Sequence, residues 1–324
     1  MAKAVRVHQP GGPEALVYED IEVASPGAGE VRIRQHASGL NFIDCYFRSG
    51  LYKAPALPFI AGNEAAGQVV EVGAGVTGFH PGDRVAYTHG LGGYASERLM
   101  PADRVVKLPD AISYEQGAVL MLKGLTVYYL LHRTFRVEAS HNVLIHAAAG
   151  GIGLLACQWA KALGANVIGT VSTREKAELA TANGCDHVIL YNDEDWVAAV
   201  KKITRGDLCN VVYDGVGKTT FPGSLDCLRP LGMFVSFGNA SGVVPPFSMG
   251  ELQRRGSLFA TRPTLNDHIA KRRDLLAAAD TMFSAVISGS LKVPIHHAYA
   301  LKDAAKAHRD LESRATTGAS ILKP

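Results

Sequence analysis

The sequence has few cysteines and no pattern that would pair them. Its 324 residues contain five, an odd number, and no two stand as Cys-x-x-Cys. They are widely spaced along the chain, at Cys45, Cys157, Cys185, Cys209 and Cys227. Disulfide scaffolds and zinc knuckles both need closely spaced, paired cysteines. The sequence therefore predicts neither, and a reducing cytoplasm is the compartment that fits it best.

Long apolar runs and an excess of charge are also missing. No run of about 18 apolar residues occurs, as a membrane helix would need. The segment Met1–Val7 alternates like a strand and has no apolar signal core. The formal net charge is only +3, without a long basic run. We therefore expect no membrane segment, and electrostatics make no case for a dedicated nucleic-acid binder.

The chain does have enough length and apolar content for about two domains, with 47% hydrophobic residues. Residues 1–124 carry short strand patterns separated by glycine and proline, which predicts a compact, mostly β domain. Residues 125–261 alternate strand and helix patterns, which is typical of a nucleotide-binding α/β domain. Residues 262–324 add helices and a final strand, and we expect this tail to fold back onto the first domain.

The most informative segment is rich in glycine and lies between a strand pattern and a helix pattern. The apolar run Val143–Ile145 is followed by the segment His146–Gly153, and helical spacing begins at Leu154. Glycine lets the backbone approach a pyrophosphate, and the next helix offers free N–H groups and the positive end of its dipole. The segment predicts a dinucleotide site, with an ordinary tight turn as the alternative.

The second strand of this unit, Asn166–Val171, ends where an acidic side chain would bind the ribose 2′-hydroxyl of NAD. Ser172, Thr173, Arg174 and Lys176 stand in this region instead. A carboxylate would repel the additional phosphate of NADP, whereas hydroxyls and cations can hydrogen-bond to it and neutralise it. We therefore expect NADPH as the cofactor. Solvated charges at the start of a helix are the alternative for Arg174 and Lys176.

These motifs resemble those of a known family. The segment His146–Gly153 with Gln158 and Lys161, together with Asn41–Asp44 and Lys123–Thr126, is similar to the signature of the zinc-free quinone oxidoreductases related to ζ-crystallin. These enzymes belong to the medium-chain dehydrogenase/reductase superfamily. The resemblance spans the whole chain. It implies a GroES-like catalytic domain built from both chain ends, a Rossmann domain between them, and an active-site cleft at their junction.

The chain departs from this superfamily at the positions that hold zinc in its alcohol dehydrogenases. Those enzymes have a cysteine in the segment matching Gly39–Asp44 and a histidine in the segment matching Gly62–Gly67, where this chain has Asn41 and Asn63. Neutral amides are poor zinc ligands beside thiolate and imidazole. The segment Tyr87–Tyr94 also lacks the four cysteines of a second zinc site. We therefore expect no metal.

A site without a Lewis acid favours a substrate whose reduced form is easily stabilised. An alkoxide is hard to stabilise without a metal, whereas a reduced quinone is a delocalised, phenolate-like anion for which a few hydrogen-bond donors suffice. Asn41, Tyr46 and Tyr52 are the candidate catalytic donors, with Lys123 and Arg262 further out. The two phenols could also stack on a flat quinone. A packing role is the alternative for each tyrosine.

The resemblance also implies which residues contact the cofactor. It assigns Asn41 and Thr126 to the nicotinamide half, and Tyr191 to the adenosine end. The full expected set is Asn41, Thr126, Tyr129, Ala149, Gly150, Gly151, Ile152, Ser172, Thr173, Lys176, Tyr191, Phe237, Gly238, Asn239 and Arg314. Surface packing is the alternative for Tyr191, and an exposed ion pair is the alternative for Arg314.

Three functions remain open at this point. An NADPH-dependent quinone reductase is favoured. A reductase of α,β-unsaturated ketones or aldehydes would use the same hydride geometry. The non-enzymatic alternative is an NADPH-gated nucleic-acid-binding or structural protein, which would bind RNA in a salt-dependent way.

We also expect a homodimer. The strand-like segment Ser257–Thr261 comes last in the nucleotide domain and should lie at a sheet edge. Pairing with a second copy would cover that edge, and Phe247 and Met249 could pack across the same contact. A covering loop is the alternative.

Overall fold

The computed structural model describes all residues from 1 to 324, and they form two compact units. The first unit contains Met1–Leu125, Ile269–Ile287 and Val293–Pro324, and the second contains Thr126–His268 and Ser288–Lys292. Both ends of the chain therefore lie in the first unit. The domain limits at 124 and 261 stay predictions.

The strands and helices of both units are numbered together in chain order. The strands are β1 (Ala2–Val7), β2 (Leu16–Ile21), β3 (Glu30–Leu40), β4 (Phe59–Ile60), β5 (Glu64–Val72), β6 (Arg84–Thr88), β7 (Glu97–Pro101), β8 (Val105–Lys107), β9 (Asn142–His146), β10 (Asn166–Val171), β11 (His187–Leu190), β12 (Cys209–Asp214), β13 (Leu228–Ser236), β14 (Phe259–Thr261), β15 (Ile295–Ala300) and β16 (Ala319–Lys323). The helices are α1 (Phe42–Ser49), α2 (Tyr114–Val119), α3 (Leu125–Tyr129), α4 (Gly151–Ala162), α5 (Arg174–Ala182), α6 (Trp196–Ile203), α7 (Gly223–Asp226), α8 (Gly250–Arg254), α9 (Leu265–His268), α10 (Arg272–Ile287) and α11 (Ala304–Glu312). Leu120–Gly124 and Leu130–Thr134 are π-helical turns. None of the helices combines the length and apolar character needed to cross a lipid bilayer.

The first unit is built mainly from antiparallel strands. A seven-stranded sheet has the order β15-β16-β3-β5-β6-β8, with β7 also paired to β3, and a smaller sheet has the order β2-β1-β4. The long strand β3 shows why the chain folds this way, because apolar and charged residues alternate along it. Val31 and Ile33 are fully buried, whereas Arg32 and Arg34 on the other face form ion pairs with Glu97. The last strand, β16, pairs antiparallel with β3, so the chain end completes the sheet that the N-terminal residues begin.

The second unit contains a six-stranded sheet of the order β11-β10-β9-β12-β13-β14, in which every pairing is parallel. The sheet begins in its middle at β9, grows outward through β10 and β11, and then continues on the other side from β12. The point between β9 and β12 is thus the topological switch point, where open α/β sheets bind ligands at the carboxyl ends of their strands. Four of the five β9 residues are buried, as expected for a parallel strand covered on both faces.

Candidate active-site and cofactor residues

The glycine-rich segment forms the turn from β9 into α4. Ala147 makes the reversal with a φ of 53°, and its carbonyl oxygen accepts a hydrogen bond of 2.9 Å from the N–H of Gly150. The helix begins at Gly151, earlier than the expected Leu154, because the backbone at the glycines is already helical. The N–H groups of Gly151 and Ile152 therefore have no acceptor within the helix and can bind an anion.

Gly153 shows why this turn needs glycine. A Cβ atom at this position would lie 2.7 Å from both the carbonyl carbon and the carbonyl oxygen of Ala148, and it would collide with the carbonyl oxygen of Ala147. The helix therefore approaches the turn more closely than any side chain would allow. The free N–H groups at the start of the helix, and not the space at Gly153, are what can bind a pyrophosphate.

Six of the other expected cofactor residues follow the carboxyl ends of the parallel strands of the second unit. Ser172 and Thr173 follow β10, Tyr191 follows β11, and Phe237–Asn239 follow β13. The Thr173 hydroxyl caps α5 by accepting a hydrogen bond of 3.3 Å from the Lys176 N–H. Because the strands are parallel, all these residues lie at the carboxyl ends of the strands, on the same side of the sheet as the glycine turn.

Thr126, Tyr129 and Arg314, which are also expected to contact the cofactor, do not follow a strand of this sheet. Thr126 and Tyr129 are on α3, and both are buried. The Tyr129 ring stacks on His268 with 4.4 Å between ring centroids, and burial raises the pKa of the Tyr129 phenol. Arg314 belongs to the first unit, where it follows α11 with a φ of 62°.

A buried chain of polar side chains at this edge was missed by the sequence reasoning. Asp214 is fully buried at the end of β12, and its carboxylate accepts hydrogen bonds from Thr220, from Ser224 and from two backbone N–H groups. Ser224 lies 3.1 Å from Nε2 of His146, whose Nδ1 lies 2.9 Å from the Thr170 hydroxyl. These hydrogen-bonded side chains thus link the carboxyl ends of β9, β10 and β12. The polar residue Asp214 after an apolar run was the only signal in the sequence.

In the first unit, Asn41, Tyr46 and Tyr52 are brought together on and beside α1. Asn41 is the N-cap, and its backbone N–H donates a hydrogen bond of 2.9 Å to the Asp44 carboxylate. The helix ends at Gly50, which has a φ of 82° and reverses the chain. Tyr52 therefore folds back, so that its ring lies 5.2 Å from the Tyr46 ring, edge to face.

The carboxylate of Glu64 joins this helix to the neighbouring π-helical turn. It is fully buried, and its Oε1 accepts hydrogen bonds from Asn41 Nδ2 at 2.9 Å and from Lys123 Nζ at 3.1 Å. Its Oε2 accepts from the backbone N–H of Leu122 at 2.6 Å. Lys123 is itself buried, so the pair is a buried salt bridge with every oxygen engaged. Sequence reasoning found Lys123 but not Glu64.

The residues at the zinc positions of the superfamily do not fit a zinc ion. The amide nitrogen of Asn41 is bound to Glu64, and that of Asn63 donates a hydrogen bond of 2.7 Å to Asp44. No group of three or more His, Cys, Asp or Glu side chains is arranged to hold a metal. Burial raises the pKa of Asp44 to about 6, although hydrogen bonds from Asn63 and Tyr94 oppose this shift.

A second buried network runs from Asp44 to the surface of the first unit. The Tyr94 hydroxyl donates to Asp44 at 2.8 Å and lies 3.2 Å from Nε2 of His308. His308 Nδ1 lies 3.1 Å from an Arg48 nitrogen, and Arg48 makes a bidentate salt bridge with Glu312. Because a guanidinium can only donate, His308 Nδ1 accepts, and Nε2–H donates to Tyr94. Burial and the charge of Arg48 lower the pKa of His308 to about 3.

We expect His308 to make the stability of the protein depend on pH. The unfolded chain binds a proton at this histidine below pH 6.5, whereas the folded chain does so only near pH 3. The stabilisation from the neutral ring is therefore complete above pH 6.5 and decreases by up to about 1.4 kcal/mol for each pH unit below it. The raised pKa of Asp44 gives an opposite slope between pH 3.8 and about 6, so the test compares variants.

Urea unfolding of the wild type and of His308→Gln at pH 5, 6 and 7 measures this effect. The difference in unfolding free energy should be largest at pH 7 and shrink towards pH 5. A difference for His308→Gln that does not vary with pH would contradict the expectation.

Comparison with known proteins identifies the family. The chain matches the family model "Alcohol dehydrogenase GroES-like domain" over residues 27–110 and the model "Zinc-binding dehydrogenase" over residues 151–273. It is 50% identical to a quinone oxidoreductase of Pseudomonas aeruginosa, with all of both chains covered. It is 45% identical to a 2-haloacrylate reductase of Burkholderia, covering 100% of this chain and 99% of that protein.

A solved structure agrees with this result along nearly the whole chain. The structure of Escherichia coli quinone oxidoreductase complexed with NADPH is 49% identical and superposes with a TM-score of 0.98, covering 99% of this chain and 100% of that one. The expected α/β fold, with a GroES-like domain and a Rossmann domain, is confirmed. The chain therefore belongs to the quinone oxidoreductase family of the medium-chain dehydrogenase/reductase superfamily.

Proposed function

We propose that this protein reduces quinones with NADPH. The observation that carries this conclusion is the full-length similarity to a quinone oxidoreductase whose structure contains NADPH, at 49% identity and a TM-score of 0.98. The glycine turn adds physical support, because Gly153 lets α4 pack closely against the turn and the helix begins with N–H groups that can bind a pyrophosphate. The buried, unpaired cysteines fit a reducing cytoplasm as its location.

The proposal gives each candidate residue a role. NADPH supplies a hydride to the quinone when it is bound. The N–H groups of Gly151 and Ile152 bind its pyrophosphate, and Ser172 and Lys176 bind its 2′-phosphate. The Tyr46 phenol donates a hydrogen bond to the quinone oxygen that becomes negative.

The tyrosine next to it contributes stacking as well as a donor. The rings of Tyr46 and Tyr52 are in edge-to-face contact, so their aromatic faces are set at 62° to each other. A flat, neutral quinone can stack on such a face, and its oxygen can accept from the neighbouring hydroxyl. This arrangement supports a planar conjugated substrate.

Reduction of an activated carbon–carbon double bond is the second candidate. It is favoured by the 45% identity to a 2-haloacrylate reductase over the whole chain. A quinone and an enone both accept a hydride at carbon and develop negative charge on a conjugated oxygen. The same two phenols could therefore stabilise either product.

Steady-state oxidation of NADPH with a substrate panel tests the proposal. The panel contains benzoquinone, naphthoquinone, an enone and 2-chloroacrylate, and a primary alcohol is tested with NADP⁺. We expect kcat/KM to be highest for a quinone and unchanged after exhaustive chelation. Faster turnover of the enone or of 2-chloroacrylate would favour the second candidate. Loss of activity on chelation, restored by zinc, would show that the site binds a metal after all.

We expect NADPH to bind at least about ten times more tightly than NADH, which corresponds to about 1.4 kcal/mol. Charge-assisted hydrogen bonds to a phosphate should exceed this difference even after screening by solvent. Fluorescence titration of both cofactors measures it. Ser172→Asp should remove the preference because its carboxylate repels the phosphate. The exposed Lys202 gives a control, Lys202→Glu, that should leave the ratio unchanged. Equal affinities for the wild type would refute the assignment.

We propose that two copies of the chain associate through β14. This strand lies at the edge of the six-stranded sheet, as the sequence predicts. Phe259 on the strand is 55% exposed, and Met249 nearby in sequence is 76% exposed, whereas Leu258 is buried and belongs to the core of the unit. An uncovered apolar edge of this kind invites pairing with a second copy.

Light scattering at micromolar concentration should give about twice the mass of one chain. Phe259→Asp should give monomers, because the charge would be buried at the contact. Val17→Asp, which changes an exposed apolar residue of the first unit, should leave the dimer intact. A monomeric wild type would exclude the dimer.

A further inference from the structure

The orientation of the Asn41 amide is determined by Glu64. An ionised carboxylate can only accept hydrogen bonds, so the atom of Asn41 that lies 2.9 Å from Glu64 Oε1 must be the nitrogen. The same nitrogen lies 3.4 Å from the carbonyl oxygen of Gly39. Both amide hydrogens are thus directed into the protein. The amide oxygen also faces the backbone N–H of Asp44 in the capping box of α1, and its second lone pair is the acceptor through which Asn41 can bind a ligand.

Glu64 is held in place from three directions. Lys123 neutralises its charge at 3.1 Å, and the N–H of Leu122 donates to its other oxygen at 2.6 Å. Gly39 packs directly against the carboxylate, because a Cβ at that position would collide with Glu64 Oε1 and lie 2.5 Å from the carbonyl oxygen of Ala118. A fully buried carboxylate in such a cradle cannot turn away from Asn41.

We propose that Glu64 and Lys123 are positioning residues that make Asn41 a hydrogen-bond acceptor for the cofactor. This inference rests on the proposed function and deepens it. The oxygens of an oxidised quinone only accept hydrogen bonds, so they cannot pair with the amide oxygen of Asn41. The nicotinamide half of NADPH carries donors, namely the carboxamide N–H groups and the ribose hydroxyls. Asn41 therefore binds NADPH, and the quinone oxygen is left to Tyr46 and Tyr52.

The charge of Lys123 keeps the Asn41 amide in one orientation. With its charge balanced by the ammonium group at 3.1 Å, the Glu64 carboxylate is an acceptor, and the amide nitrogen of Asn41 must face it. The salt bridge therefore selects the acceptor orientation of Asn41 and excludes the donor orientation.

A double-mutant cycle with direct measurement of NADPH binding tests this proposal. Glu64→Gln removes the charge that orients Asn41, and Asn41→Ala removes the amide. We expect each single variant to raise the Kd for NADPH about tenfold, as the loss of one hydrogen bond would. We expect the double variant to bind no more weakly than Asn41→Ala alone, because Glu64 acts through Asn41. The KM for benzoquinone should stay within twofold of the wild type for Glu64→Gln.

Glu71→Gln provides the matched control, because it makes the same chemical change on the same strand at a surface position. It should leave the Kd for NADPH unchanged. Lys123→Gln is the second test of the same prediction, and thermal unfolding of every variant identifies any that fails to fold. If Glu64→Gln is unfolded, Lys123→Gln should still raise the Kd for NADPH about tenfold. In the Asn41→Ala background, Lys123→Gln should have no further effect.

Additive losses in the double variant would overturn the proposal, because they would mean that Glu64 supports the fold without acting through Asn41. An unchanged Kd in Glu64→Gln would overturn it as well. Failure of the proposed function gives a different result, in which the wild type itself binds NADPH weakly or does not turn over quinones. The two failures are therefore distinguishable in one set of measurements.

Discussion

Gly153→Val should raise the Kd for NADPH at least a hundredfold, which corresponds to about 2.7 kcal/mol. The Cβ of any side chain would lie 2.7 Å from the carbonyl group of Ala148, far inside normal contact. The start of α4 would have to move away from the turn, and the N–H groups of Gly151 and Ile152 would move with it. Because these groups are proposed to bind the pyrophosphate, the shift acts directly on the cofactor.

Fluorescence titration of NADPH measures this loss, and circular dichroism checks that the variant is folded. Gly153→Ala should weaken binding in the same direction, since it introduces the colliding Cβ without further atoms. Gly78→Val is the control, because no atom lies within 4 Å of a Cβ at that position. A folded Gly153→Val variant that binds NADPH within threefold of the wild type would contradict the assignment of the pyrophosphate site.

Arg48→Met should lower the free energy of unfolding by about 3 kcal/mol, at the lower end of what breaking a buried ion pair costs. Only 3% of the Arg48 side chain is exposed, and it donates to Glu312 through two nitrogens, at 2.7 and 3.0 Å. It also donates to the carbonyl oxygen of Gly11 and to Nδ1 of His308. Methionine fills much of the space but leaves these acceptors without a partner.

Urea unfolding at pH 7 measures the change for Arg48. Glu312→Gln should cost less, about 1 kcal/mol, because the glutamine oxygen can still accept from Arg48 and this side chain is 36% exposed. Arg136→Met is the control, since Arg136 is 83% exposed and its change should stay within about 0.5 kcal/mol. A loss below about 1 kcal/mol for Arg48→Met would show that the network contributes little to stability.

The features that were predicted well from the sequence depend on residues that are neighbours along the chain. The strand Asn166–Val171 is confirmed to the residue, because its apolar run is bounded by Gly164 and by the polar residues after Val171. The predicted edge position of β14 is confirmed. It could be predicted because β14 is the last strand of its unit. The glycine turn was recognisable because strand, turn and helix follow one another directly in the chain.

The buried polar groups were not predictable, because their partners are distant in the sequence. Glu64 is an ordinary glutamate in the chain, and only the fold brings it to Asn41, 23 residues away, and to Lys123, 59 residues away. His308 lies near the C-terminal end of the chain and contacts Arg48 across 260 residues. Periodicity along a helix or strand contains no information about such contacts.

The sequence by itself therefore determined the family and the two kinds of domain, and it predicted the glycine turn and the grouping of candidate residues around α1. Local spacing, glycine geometry and the chemistry of single side chains are enough for these conclusions. Only the tertiary structure gives the orientation of the Asn41 amide, and of its two expected roles, donor to the substrate and contact to the nicotinamide half, this orientation favours the second, with Asn41 as an acceptor. The physical reason is that the direction of a hydrogen bond depends on both partners, and here the second partner is a buried carboxylate on another strand.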